Sequence, residues 1–260
     1  MQIADLGDVQ LHCKVEGEGA PLVFANSLMT DFRMWDRLVS LLPGGLRIIR
    51  YDKRAHGLSS MPPGPYVMDQ LVTDLERLLS HLGVSRAVVV GLSVGGLIAQ
   101  GLAARRPDLL AGVVLSNTAG KISTQEVWDG RFAAVRAGGT EAIADATMQR
   151  WFPQPFRDSP EGRAWRTMFV RQMPEAFLYV GNAIAGADFR ASTARLTLPV
   201  LGIGGSEDGS TPTAGLVETL AGVASARVHE IKGAGHLACV DGAAEYARAL
   251  TGFLREIKYI

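Results

Sequence analysis

The stretch Ala87–Asp108, AVVVGLSVGGLIAQGLAARRPD, constrains this 260-residue chain more than any other. Val88–Val90 is a β-branched run suited to a buried strand. Leu97–Arg106 has helical spacing and good helix formers, and Pro107 stops it. Between them Ser93 stands in Gly-Leu-Ser-Val-Gly. A strand that feeds a helix through so sharp a turn leaves the central residue in strained backbone, and Gly91 and Gly95 leave room for neighbouring main chain to approach. The Ser93 hydroxyl is thereby held up at the carboxyl end of a sheet, where a nucleophile is useful. The pattern by itself also fits a glycine-rich turn with a merely exposed serine, so the rest of the chain has to supply the partners.

The flanking segments read as an α/β protein. Val9–Gly17 alternates weakly, as an edge strand does; Leu22–Ala25, Leu46–Tyr51, Leu110–Ser116, Leu198–Ile203 and Ala226–Ile231 are short buried strands. Val67–Leu82 carries an apolar stripe at helical spacing that Gly83 ends, and further helices fall near 213–221 and 242–257. This alternation predicts a mostly parallel sheet flanked by helices. One segment breaks the rhythm. From about Ala119 to Ala191 there is no convincing strand, three of the four tryptophans occur, and Pro153, Pro155, Pro160 and Pro174 cut the chain into short helices. The predicted organisation is a core of residues 1–118 and 191–260 with a helical lid, 119–190, inserted between two strands.

Lys+Arg and Asp+Glu both number 26, so the formal net charge is zero and neither nucleic acid nor an anionic membrane is implied as a partner. No basic-then-apolar leader opens the chain, and no apolar run is long enough to span a bilayer. Cys13 and Cys239 lie far apart, which fits two thiols in a reduced, cytoplasmic protein; Cys239 reads as a small buried filler. No metal-ligand spacing occurs, and no metal or organic cofactor is expected.

A serine hydroxyl needs a base to take its proton and a third group to orient that base. Of five histidines, His12 and His229 fall in strands and His81 near a helix end. His236, in the loop GAGHLACV just past a strand, is the best base, because such sheets bind ligands beyond their carboxyl ends. His56, in DKRAHG, is the rival, with bracing of nearby loops as its expected task. The acid should follow another strand: GSEDGSTP supplies Asp208, with turn chemistry after it and Thr211-Pro212 leading into a helix. The order Ser93, Asp208, His236 is that of the strand–Ser–helix hydrolases. The backbone N–H groups that hold an oxyanion should come from Val94, which opens the helix, and from Leu28, in the loop VFANSLMTDFRMW.

The motifs GLSVGG, YDKRAHGLSS, GSEDGSTP and GAGHLACV, in this order, resemble the α/β-hydrolase superfamily across essentially the whole chain. Within it, ANSLMTDFRMWD, VVLSNTAGKI, the segment beginning near Trp128 and Arg131, and QRWFP are similar to the 3-oxoadipate enol-lactone hydrolases. That resemblance implies an α/β-hydrolase fold and opening of a five-membered enol-lactone by Ser93 as nucleophile, His236 as base and Asp208 as orienting acid. The chain departs from the pattern at Met29 and Ala55, where relatives have glycine, and Glu207 adds a charge beside Asp208. The lactone carries a free carboxylate, so a cation should meet it; Arg131 and Arg33 are the candidates, and Trp128 could close over the ring. Other readings of the same residues are a general carboxylesterase, a carbon–carbon bond hydrolase, and a hydrolase-fold receptor with little turnover. The partner in each case is a small molecule, and the assembly a monomer or small homo-oligomer.

Overall fold

The computed structural model describes residues 1–260. Eight strands form one sheet: β1 (Gln2–Asp5), β2 (Gln10–Glu16), β3 (Ala20–Ala25), β4 (Leu46–Tyr51), β5 (Ala87–Leu92), β6 (Leu110–Ser116), β7 (Val200–Gly205) and β8 (Ala226–Ile231), in the order β1-β2-β4-β3-β5-β6-β7-β8. β1 pairs antiparallel with β2 and β2 antiparallel with β4. Every other pairing is parallel. Parallel strands buried on both faces have to be apolar along their whole length, and β5, AVVVGL, is buried at every residue.

β2 does not form the edge. The edge is β1, whose four residues QIAD are too few to set up an alternation and gave no sequence signal.

The helices of the first half are α1 (Asp36–Val39), α2 (Met68–His81) and α3 (Val94–Arg105). α2 buries Leu71, Val72, Leu75, Leu78 and Leu79, one face of a 3.6-residue period. α3 is buried from Val94 through Ala103, which its glycines and alanines permit: a side-chain carbon at Gly101 would come within 2.5 Å of Val72 on α2.

Between β6 and β7 the chain makes no strand. It forms α4 (Gln125–Gly138), α5 (Glu141–Trp151), α6 (Gln154–Arg157), α7 (Pro160–Val170), α8 (Pro174–Ala185) and α9 (Arg190–Thr193). Thr124 caps α4 by accepting from Val127 N; Ser159 caps α7, where Pro160 occupies the first turn. Trp128, Phe132 and Phe177 of this insertion pack into the same apolar cluster as the sheet. α10 (Thr213–Leu220), α11 (Ala238–Asp241) and α12 (Ala243–Glu256) complete the flanking layers.

Candidate active site

Ser93 follows β5 at φ 58°, ψ −118°, a left-handed conformation that is costly for any residue with a side chain. Its surroundings hold it there. Ser93 N donates to the Ser116 carbonyl at 3.0 Å, extending the β5–β6 ladder, and Thr118 Oγ1 donates to the Ser93 carbonyl at 2.8 Å. The glycines of the motif answer a measurable need: a Cβ on Gly91 would meet Gly95 O at 2.1 Å, and one on Gly95 would meet Ala25 O at 2.0 Å. The second of these close approaches brings the end of β3, and the loop after it, beside the serine turn.

His236 and Asp208 lie in the loops after β8 and β7. His236 Nδ1 donates to Asp208 Oδ2 at 2.9 Å, which leaves the Nε2 lone pair of the neutral ring free to act as a base. Asp208 is heavily hydrogen-bonded. Its Oδ1 accepts from the amides of Ser210 (2.7 Å) and Thr211 (3.0 Å), and its Oδ2 from Asn117 Nδ2 (3.0 Å). The Thr211 hydroxyl donates to the Asn117 carbonyl at 2.7 Å and lies 3.0 Å from Asp208 Oδ2. Burial alone would push this carboxyl up, but the His236 charge and these hydrogen bonds hold it far below the usual carboxylate range. It therefore stays ionised throughout the working pH range.

The insertion is tied to both loops by main chain. The Arg150 carbonyl accepts from Gly209 N at 3.0 Å, and the Trp151 carbonyl accepts from His236 N at 2.7 Å. The Trp151 indole stacks on the His236 ring at 6.2 Å between centroids. A Cβ on Gly235 would meet Trp151 O at 2.2 Å, so the glycine before His236 is what lets α5 dock.

Leu28 lines the same cavity as Ser93 and His236, and Val94 opens α3, where first-turn amides have no partner within the helix. His56 takes no part as a base. Its Nε2 accepts from Met29 N at 2.9 Å, its Nδ1 donates to the Arg54 carbonyl at 3.2 Å, and burial drives its ring well below the ordinary histidine range. It braces the loop that carries Leu28. Lys53, also buried, donates from Nζ to the Ser27 carbonyl at 2.6 Å.

The cavity is lined on the sheet side by Ser27, Leu28, Met29, Ser93 and His236, and on the insertion side by residues that include Trp128, Arg131, Thr147, Arg150 and Phe177. Trp128 is fixed by Nε1 donating to the Ile122 carbonyl at 2.9 Å, and the Arg131 guanidinium lies 5.0 Å from the Trp128 ring centroid. Arg150 donates to Thr147 Oγ1 at 3.0 Å. Burial lowers both guanidinium pKa values, for Arg131 with the Arg150 charge adding to it, and no acidic group offsets either shift. Two cations thus face one cavity without a protein counter-ion. Arg33 is not one of them. It is exposed, forms an ion pair with Asp31 at 2.6 Å and lines a separate groove with His12 and Asp52. Nearness in sequence to the Leu28 loop misplaced it, because Asp31 turns its side chain outward. Glu207 is also exposed and is absent from the cavity wall.

Several residues escaped the sequence reading: Arg150, Asn117, Thr211, Lys53 and the Ser27 hydroxyl, which is buried without a hydrogen-bond partner. Arg150 and Asn117 do sit inside QRWFP and VVLSNTAGKI, strings already conspicuous for their likeness to the lactone hydrolases. Ser27, Lys53 and Thr211 likewise sit inside ANSLMTDFRMWD, YDKRAHGLSS and GSEDGSTP, but nothing within those strings marks out these side chains.

A strained serine turn after β5 at the carboxyl edge of a mostly parallel sheet, with a hydrogen-bonded Asp208–His236 pair in the loops after β7 and β8, is an arrangement of the α/β-hydrolase class. The chain belongs to the alpha/beta hydrolase fold family, which matches it over residues 20–243. Within that family it is a carboxylic ester hydrolase. It is 38% identical over 211 residues to 3-oxoadipate enol-lactonase 2 of Acinetobacter baylyi, covering 80% of this chain and 79% of that one. The crystal structure of the enol-lactonase from Burkholderia xenovorans LB400 superposes with a TM-score of 0.94 at 34% identity, covering 98% of this chain and 100% of that one. A thermophilic esterase from Thermogutta terrifontis, described as malate-bound, gives a TM-score of 0.91 at 27% identity and covers 99% of both chains. No helix is long and apolar enough to cross a membrane.

Proposed function

We propose that this protein opens a carboxylated enol-lactone, 3-oxoadipate enol-lactone, to the 3-oxo diacid through a serine acyl-enzyme. The observation that carries this reading is the cavity itself: Ser93 and His236 share it with Arg131 and Arg150, two guanidiniums without a protein counter-ion. An ester-cleaving pair beside unpaired cations suits an ester that bears a carboxylate.

His236 Nε2 takes the Ser93 proton as Oγ attacks the lactone carbonyl. The Leu28 and Val94 amides receive the oxyanion, each contributing roughly 3 kcal/mol of transition-state stabilisation. The ring C–O bond breaks, and the enolate leaves, takes the proton from His236 and ketonises. Water, deprotonated by His236, then attacks the acyl-serine; its proton passes back to Ser93 as the second carboxylic acid departs. Asp208 fixes the imidazole tautomer throughout. Residues 119–190 act as the lid, supplying the arginines and Trp128. No step needs a metal or organic cofactor.

The test is kcat/KM for 3-oxoadipate enol-lactone beside that for p-nitrophenyl acetate, with Ser93→Ala as control. The lactone is expected to be preferred about a thousandfold, and Ser93→Ala to keep less than about a thousandth of the activity on either. Equal efficiencies on the two substrates would replace the lactonase with a general carboxylesterase; the Thermogutta terrifontis neighbour is an esterase.

A further inference from the structure

Lys53 is buried just past β4, yet the mechanism above gives it nothing to do. Its Nζ donates to the Ser27 carbonyl at 2.6 Å, and the Thr30 hydroxyl donates to the same oxygen at 2.9 Å. That carbonyl and the Leu28 N–H are the two ends of one planar peptide unit. Loading the carbonyl with donors, one of them cationic, draws electron density through the amide and makes its N–H a stronger donor.

We propose that Lys53 is a positioning residue of the reaction: its ammonium polarises the Ser27–Leu28 peptide and so strengthens the Leu28 N–H that receives the oxyanion. This rests on Leu28 being an oxyanion donor. A purely structural role explains the lysine poorly. Taking an ammonium out of water is costly, and a methionine of similar length would fill the space without that cost. The carbonyl it serves already has Thr30.

The groups around Lys53 set when it is charged. Burial lowers the ammonium and the charges of Asp52 and Asp31 oppose it, leaving it at about 7. Asp52 is itself paired with His12, and Asp31 with Arg33. His56 remains neutral beside it. The polarisation is therefore strong in mildly acidic solution and weakens in alkali, where the side chain becomes a neutral donor.

The experiment compares wild type with Lys53→Met and Lys53→Gln on p-nitrophenyl acetate, a neutral ester whose turnover does not depend on lactone preference. Near pH 6, Lys53→Met is expected to lower kcat about tenfold with KM changed by less than about twofold. The wild-type to Lys53→Met ratio of kcat is expected to shrink to about twofold near pH 9, as Lys53 loses its proton. Any pH dependence common to the two proteins cancels from the ratio. Lys53→Gln, which keeps a neutral donor, should fall between the two near pH 6. A wild-type kcat in Lys53→Met near pH 6, or a ratio unchanged between the two pH values, overturns the proposal. Should Lys53→Met fail to fold, Lys53→Gln decides by the same criterion: a ratio that shrinks toward alkali supports it, and a constant one rejects it. Failure of the serine-hydrolase reading would look different, because Ser93→Ala would then still turn over the ester.

Discussion

The carboxyl edge of the sheet and the helical insertion face the same cavity but are built on opposite terms. Of the six non-glycine residues with positive φ, four, Met29, Ala55, Ser93 and Asn117, follow β3, β4, β5 and β6. Those four strands are neighbours in the sheet. Unfavourable backbone is thus concentrated along one edge, where a parallel sheet buried on both faces is rigid enough to hold it. The insertion, apart from Ser123 at its entry, instead uses proline starts and capped helices, and its chief unusual feature lies in side chains, the unpaired Arg131 and Arg150. Bond-breaking geometry needs main chain fixed to fractions of an ångström, whereas recognition of a charged group needs only a side chain of the right sign within reach. Under the proposed function the two regions divide the work along that line.

The division is most directly broken at the arginines. Each guanidinium–carboxylate contact in a half-buried site is worth about 1.5–3 kcal/mol. Arg131→Met combined with Arg150→Met should therefore cut kcat/KM for the carboxylated lactone by about a hundredfold or more, and change that for p-nitrophenyl acetate by less than about twofold. A parallel loss on both substrates would mean that the two side chains help seat α5 on the loops that carry Asp208 and His236, and that the insertion is part of the chemical machinery.

A smaller effect tests the edge from behind. Asp241 supports the His236 loop, its Oδ2 accepting from Gly235 N at 2.8 Å, while its Oδ1 is buried without a partner. Burial raises this carboxyl to about 6, above its ordinary 3.8. The folded state therefore holds the proton more tightly than the unfolded chain. Its contribution to stability is greatest below about pH 4 and is lost as pH rises to about 6, by an amount of order 1–3 kcal/mol. Asp241→Asn keeps the acceptor and removes the charge, so its melting temperature should exceed that of wild type by about 3 °C or more at pH 7.5, with the gap closing near pH 4. Thermal unfolding across that range checks the sign; a gap that ignores pH would show that the Asp241 carboxylate carries no charge penalty.

How much of this was legible beforehand follows from how local each signal is. Ser93, Asp208 and His236 each sit in a loop directly after a strand, so short-range pattern and chain order were enough to single them out, and the structure joins Asp208 to His236 and puts Ser93 in the same cavity as His236. Arg150 was not separable from the other arginines, because only the docking of α5 over two distant loops points it inward. Arg33 failed for the converse reason, since closeness along the chain is not closeness in space. Asn117 and Thr211 act by satisfying a buried carboxylate, a need that does not exist until Asp208 is buried. Lys53 reads as a surface lysine in sequence and becomes notable only by its burial.

The smallest expected effect probes whether strain along the edge is a cost in itself. Ala55 sits at φ 64°, next to His56, with its N–H donating to the Ser60 carbonyl at 3.0 Å. Left-handed backbone costs a residue with a Cβ about 1–2 kcal/mol, and glycine escapes that cost. Glycine also has more freedom to lose on folding, which returns about 0.4–1 kcal/mol. The difference leaves Ala55→Gly more stable by about 0.5 kcal/mol, a rise in melting temperature of about 1–2 °C in a chain of this size. The same substitution in an insertion helix, at the exposed Ala133 of α4, should lower stability by about 0.5–1 kcal/mol, because there the backbone is an ordinary helix and only the entropy cost of glycine remains. Opposite signs at the two positions would locate the strain at the sheet edge. A loss at both would mean that the Ala55 methyl contributes more through packing than its backbone costs, and that the edge is no more strained there than the helices above it.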